Sequence, residues 1–282
     1  MYFEWLGLEI GDVVSLQALS ERELFNRFSK FISQLEDPVL PGGGAGRWLL
    51  SPVVDGTYLP ADPFSPASPA SHDVPLIIGT NKDEAALHLS NIAGIGDINE
   101  EQLVQRLRGV LGDRAEAVIR VHRQNRPEET RYGLLTAIAS EDRRLLSIQT
   151  AEEKVKQGGA PVYMYLFTWE SNQGLLKAAH TMEIPFVFHN LDTTRIVGSR
   201  EDRYALANIM CDAWVSFARY GTPNHPSLPE WVPYDTAHRG TMIFDIPPKL
   251  EYDPRSEERQ AWDDIPVKLP WEGDVFVTAM PD

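Results

Sequence analysis

Cysteine is nearly absent. Cys211 is the only one among 282 residues, so no internal disulfide is available and nothing calls for an oxidising compartment. Its apolar helical surroundings predict a buried position. Basic residues are scarce as well: 26 Lys and Arg face 41 Asp and Glu, and the net charge of -15 opposes phosphate backbones and anionic lipid surfaces. Neither nucleic acid nor a membrane is an expected partner. No run of about 18 apolar residues exists to span a bilayer. The opening Met1-Tyr-Phe-Glu-Trp5 also lacks the basic start and apolar stretch of a secretory leader, so a cytoplasmic location is the default expectation. Internal repeats and a clear interdomain linker are missing too. Glycines 42, 43, 44 and 46 cluster, but no strand precedes them and no Lys-Ser/Thr follows, so they read as plain loop rather than a phosphate cradle.

What remains is a globular composition, 43% hydrophobic, long enough to bury a sizeable core. Ser20-Glu-Arg-Glu23 has the form of a capping box ahead of Leu24, Phe28, Phe31, Ile32 and Leu35 at helical spacing. Residues 37–73 are rich in Pro, Gly and Ser and predict irregular surface chain. Residues 74–80 form a short apolar run bounded by turn formers, as a buried parallel strand does. Helices are expected at 99–111, 113–123 and 128–157, a second strand at 161–169, and a last strand at 241–246. Ser199-Arg-Glu-Asp202 should cap a long helix that buries Leu206, Met210, Ala213, Trp214 and Phe217 and stops at Gly221-Thr-Pro223. A short helix is expected at 256–262. The first two strands read as core strands and the helices between them as a helical layer without a chemical signal.

Two segments carry chemistry. Asn81-Lys-Asp-Glu84 lies at the C-terminal end of the first strand, the edge where ligands and catalytic groups collect in open α/β sheets. His180-Thr-Met-Glu183 runs into the apolar Ile184-Pro-Phe-Val-Phe188, which sets a histidine beside an acid and a surface that excludes water. A satisfied core histidine would show the same spacing. His189 competes with His180, and Asp83 competes with Glu84. His180, Glu183 and His189 lack a helical His-Glu-x-x-His pattern or a cysteine ligand, so no metal is expected, and nothing calls for a cofactor. Ser140 and Ser199 read as helix caps.

The wording of several segments closely resembles type-B carboxylesterases, especially bacterial para-nitrobenzyl-esterase-like members. The matching stretches are Ser51-Pro-Val-Val-Asp-Gly56, Leu76-Ile-Ile-Gly-Thr-Asn-Lys-Asp-Glu84, the His180 segment through Asp192, and Trp214 to Asn224 with Pro229-Glu-Trp231. They occur in family order. The resemblance implies an α/β-hydrolase fold, with Glu84 as the acid and His180 as the base of a serine esterase. Glu183 would support the histidine loop. Leu87 and His88 would face the substrate, where cholinesterase relatives carry aromatic rings, implying uncharged ester substrates.

One departure is large. No Gly-x-Ser-x-Gly elbow and no His-Gly-Gly-Gly motif occurs anywhere in the sequence, and in this family both precede the acid. Residues 1–282 therefore read as the C-terminal portion of a longer esterase domain, with a nucleophile-bearing N-terminal half as an implied partner. A hydrolase-like binding module without catalysis is the alternative.

Overall fold

The computed structural model describes residues 2–33, 52 and 54–265. Leu35, the glycine cluster at 42–46, Ser51 and Val53 lie outside the described residues. The chain forms two compact units, residues 1–61 and 62–282. The first contains α1 (Tyr2–Trp5), α2 (Val13–Gln17) and α3 (Glu21–Ser33). Ser20 Oγ accepts the Glu23 N–H at 3.2 Å, the serine half of a capping box. The Glu23 carboxylate turns forward to Arg27, one turn on, rather than back to Ser20. Phe31 is buried and tilts against Trp5 at 5.7 Å.

The second unit is built on a four-stranded sheet. β1 (Leu76–Asn81), β2 (Val162–Phe167) and β3 (Gly240–Phe244) are parallel in spatial order, and β4 (Lys249–Tyr252) closes the edge antiparallel to β3. Nearly every residue of β2 and β3 is buried, as expected for parallel strands covered on both faces. Gly79 stands opposite Tyr165 across the β1–β2 ladder, and a Cβ on it would lie 2.3 Å from the Tyr165 carbonyl oxygen. That close approach explains a glycine in a strand interior.

Between β1 and β2 come α4 (Ala86–Leu89), α5 (Glu100–Leu111), α6 (Ala115–Asn125), α7 (Arg131–Ala139) and α8 (Glu141–Lys156). Side chains alternate across β2. Val162 and Met164 pack with Ile148 and Ala151 of α8 on one face, whereas Tyr163 and Phe167 join the larger core on the other. That core receives Met182, Phe186 of α9 (Ile184–Val187), and Leu206, Ala207, Met210 and Ala213 of α10 (Arg203–Tyr220). Its aromatic contacts are mostly edge-on, with Tyr165–Trp214 at 5.4 Å and Phe167–Phe186 at 5.1 Å, the arrangement ring quadrupoles favour. Gly221 ends α10 with a left-handed φ of 73°. α11 (Ser256–Gln260) ends the described fold.

Three expectations are corrected. The helix expected over 128–157 is two helices broken at Ser140. Ser199 caps nothing: α10 starts at Arg203, and Ser199 Oγ instead accepts from Asn172 at 3.2 Å. Cys211 lies on α10 but is only half-buried. β4 had no sequence expectation.

Candidate active site

The acid-bearing and histidine-bearing loops leave the same sheet edge, following β1 and β2. Their backbones join beyond the strands: the Lys82 N–H donates to Phe167 O at 2.8 Å and the Asp83 N–H to Ala178 O at 3.0 Å, with Asp83 and Ala179 forming a parallel bridge. Glu84 is thereby delivered to His180. Glu84 Oε2 lies 2.6 Å from His180 Nδ1, while Glu84 Oε1 accepts the Asn81 N–H at 2.7 Å. The carboxylate is buried at 6% exposure, and the imidazole is half-exposed at 49%. No described residue bonds the other ring nitrogen, Nε2, which the Glu84 contact directs away from the acid.

The hydrogen bond to Glu84 holds the His180 pKa above the ordinary imidazole value; partial burial opposes this, the Glu84 charge adds to it, and Arg143 works against it. With Nδ1 committed to a carboxylate, Nε2 of the neutral ring is the acceptor for an incoming proton.

The structure separates the rivals. Asp83 is also buried, but its carboxylate accepts the Ala178 N–H at 3.2 Å and sits 3.4 Å from Lys82 Nζ, so it ties the histidine loop to the sheet edge rather than touching His180. Burial raises its pKa against the pull of Lys82 and Lys177. His189 bonds Asn208 Oδ1 at 2.7 Å on the surface. Glu183 accepts from Asn81 Nδ2, and its pKa is raised mainly by burial. Leu87 packs on the larger core from α4, and His88 beside it is half-buried. Among the described residues, no group of three His, Cys, Asp or Glu side chains is placed to hold a metal.

Residues without a sequence signal complete the site. Asn81 donates from Nδ2 to Ala179 O at 2.6 Å, so one side chain bridges both loops. Ser140, expected as a cap, makes no cap bond and holds the amide that follows Glu84. Lys177 and Thr181, on either side of His180, both have left-handed backbone, with φ of 51° and 68°. Asn at a strand end was the one available hint.

A mostly parallel sheet with helices on both faces, and an acid loop meeting a histidine loop at its C-terminal edge, is the architecture of an α/β hydrolase. The chain matches the model of the carboxylesterase family over residues 12–262 and belongs to that family. It is 28% identical over 265 residues to the para-nitrobenzyl esterase of Bacillus subtilis, covering 92% of this chain and 51% of that protein. It is 29% identical over 237 residues to an acylcarnitine hydrolase of Rattus norvegicus, covering 76% of this chain and 41% of the relative. The crystal structure of a Geobacillus stearothermophilus carboxylesterase superimposes with a TM-score of 0.68 at 30% identity, over 93% of this chain and 53% of the other. The chain thus spans about half the length of these relatives or less. No described helix is long and apolar enough to cross a membrane.

Proposed function

We propose that this chain supplies the acid and the base of a carboxylic ester hydrolase of the Ser-Glu-His type. The observation that carries this reading is the 2.6 Å contact between His180 Nδ1 and Glu84 Oε2, with Nε2 left to act. In the reaction, Nε2 accepts the proton of a serine hydroxyl as its oxygen attacks the ester carbonyl, and the Glu84 carboxylate stabilises the imidazolium that forms. The imidazolium then protonates the departing alkoxide, leaving an acyl-serine. Water activated by the same histidine releases the carboxylic acid and restores the serine. The serine and the oxyanion donors would come from a nucleophile-bearing N-terminal half of the esterase domain, because the 282 residues contain neither motif. Residues 1–282 act as the C-terminal portion of the esterase domain, and Leu87 and His88 face an uncharged ester.

The purified chain alone is expected to release no para-nitrophenol from para-nitrophenyl butyrate above buffer. Joined to the nucleophile-bearing half of a family relative, it should hydrolyse the ester with turnover that His180→Ala lowers on the order of a thousandfold or more. Joined enzyme that is indifferent to His180→Ala would overturn the assignment of the base. A saturable rate from the chain alone, lost in His180→Ala, would overturn the division of labour.

A further inference from the structure

α7 differs from the other described helices in being buried on every side: Tyr132 through Ala139 are all buried, and the one polar side chain among them inside the helix, Thr136, bonds back to Tyr132 O. A helix of that kind is an interior strut, with no solvent face to satisfy. Its polar groups act at its two ends, and they act on different loops. At the C-terminal end Ser140, 3% exposed, donates from Oγ to Thr136 O at 2.6 Å and accepts the Ala85 N–H at 3.0 Å. Ala85 directly follows Glu84. Near the N-terminal end the Tyr132 hydroxyl donates to Leu175 O at 2.7 Å, and Glu129, just ahead of the helix, pairs with Lys177 at 3.3 Å. Leu175 and Lys177 lie on the approach to His180.

We propose that α7 sets the separation of Glu84 and His180, with Ser140 and Tyr132 as positioning residues, a role that rests on the acid–base reading above. The single hydroxyl proton of Ser140 is committed to Thr136 O, which turns a lone pair of the oxygen toward the Ala85 N–H. It sits at the junction with α8 in helical backbone, φ -95° and ψ -11°, whereas a capping serine adopts extended backbone and bonds the first turn of its own helix. Its hydroxyl reaches across the core instead. Without it the buried Ala85 N–H loses its acceptor and must move to find another, and Glu84 moves with it. A charge-assisted contact of 2.6 Å weakens steeply with such a displacement. At the other end, loss of the Tyr132 hydroxyl frees the Leu175 carbonyl and loosens the histidine loop. Glu129–Lys177 remains there as a second tie, so the Tyr132 effect is the smaller.

The test follows the imidazole Cε1–H resonance of His180 against pH in the full chain labelled with 13C-histidine. The signal is assigned by its loss in His180→Gln. Ser140→Ala should lower the His180 midpoint by about half a pH unit or more and Tyr132→Phe by less, while Ser140→Thr, which keeps the hydroxyl, should hold it and His189 should not move. Circular dichroism establishes that each variant is folded. A helix that merely stabilised the fold would lower the melting temperature in these variants and leave the His180 midpoint within about 0.1 of the starting protein; that result overturns the proposal. If Ser140→Ala does not fold, Tyr132→Phe decides alone, and an unmoved midpoint again overturns it. Glu84→Gln separates the two readings. If it lowers the midpoint and the α7 variants do not, the acid–base pair stands and the strut falls; if it has no effect, both fall.

Discussion

Asp83 and Glu84 are neighbours in sequence with opposite assignments, and the choice between them turns on one position of register. Asp83 faces the backbone of the histidine loop and Glu84 faces its ring. In the joined enzyme, Glu84→Gln should therefore lower turnover on the order of a thousandfold, because the ring loses the partner that fixes its tautomer. Asp83→Asn should stay within about threefold, since an amide oxygen can still accept the Ala178 N–H. Reversal of the two effects would show Asp83 to be the acid. The raised His180 pKa also predicts the position of the acid limb of kcat/KM. The base works only when neutral, so activity should rise with pH through a midpoint above the ordinary imidazole value of about 6.5. A limb below that value would mean that Glu84 does not hold the ring in the free enzyme. The contact between His180 and Glu84 was legible because family wording surrounds both residues. Asn81 and Ser140 were not, since an Asn after a strand and a Ser between helices are ordinary local signals, and their bonds span residues far apart in sequence.

Elements were legible where the pattern was local. β1 came through as an apolar run between turn formers, β2 through its β-branched and aromatic residues, and α10 through its apolar face and the stop at Gly221, although its expected cap at Ser199 was misplaced. The break at Ser140 did not, because residues 128–157 contain no Pro, Gly133 does not interrupt the helix, and the Ser140 hydroxyl takes a partner, the Ala85 N–H, that is far away in sequence. β4 was missed because it is only four residues long and directly follows Pro247-Pro248, too short for its polar–apolar alternation to stand out. Within β1, Gly79→Ala probes the closest strand contact. Its Cβ would meet the Tyr165 carbonyl and ring, so the ladder must part. The expected loss is about 1–3 kcal/mol, read from the urea midpoint, against a loss near zero if β1 and β2 lie farther apart.

Across the whole molecule, buried charge links helices far apart in sequence. Arg144 bonds Glu141 within α8 and reaches the carbonyl of Pro254, while Glu258 of α11 pairs with Arg126 and lies 3.8 Å from His122 of α6. Burial pushes the His122 pKa down to about 3, with Glu141 opposing and Arg126 assisting. Burial pushes that of Asp142 up to about 6, with Arg143 opposing. The signs differ. His122 binds a proton more readily when unfolded, so its contribution is present above pH 6.5 and is lost as pH falls toward 3. Asp142 favours the folded state when protonated, so its contribution is present below 3.8 and is lost as pH rises through about 6. Between 3.8 and 6 they oppose each other, and removing one exposes the other. His122→Gln should therefore flatten the loss of stability on acidification, by up to about 1.4 kcal/mol per pH unit, in urea titrations repeated from pH 7 to 4. An unchanged slope would mean that the ring is already charged in the folded protein.

Thr181 has a bearing on how the sequence can drift. It holds left-handed backbone directly after His180, a conformation that a β-branched side chain resists and glycine accepts freely. The mismatch costs on the order of 1 kcal/mol. A mutant library sorted only for survival after heating should therefore accumulate Thr181→Gly or Thr181→Asn. A library sorted for ester turnover in the joined enzyme should discard the glycine, because a flexible joint there lets the imidazole wander from Glu84. Thermal selection and catalytic selection should thus pull the same codon in different directions.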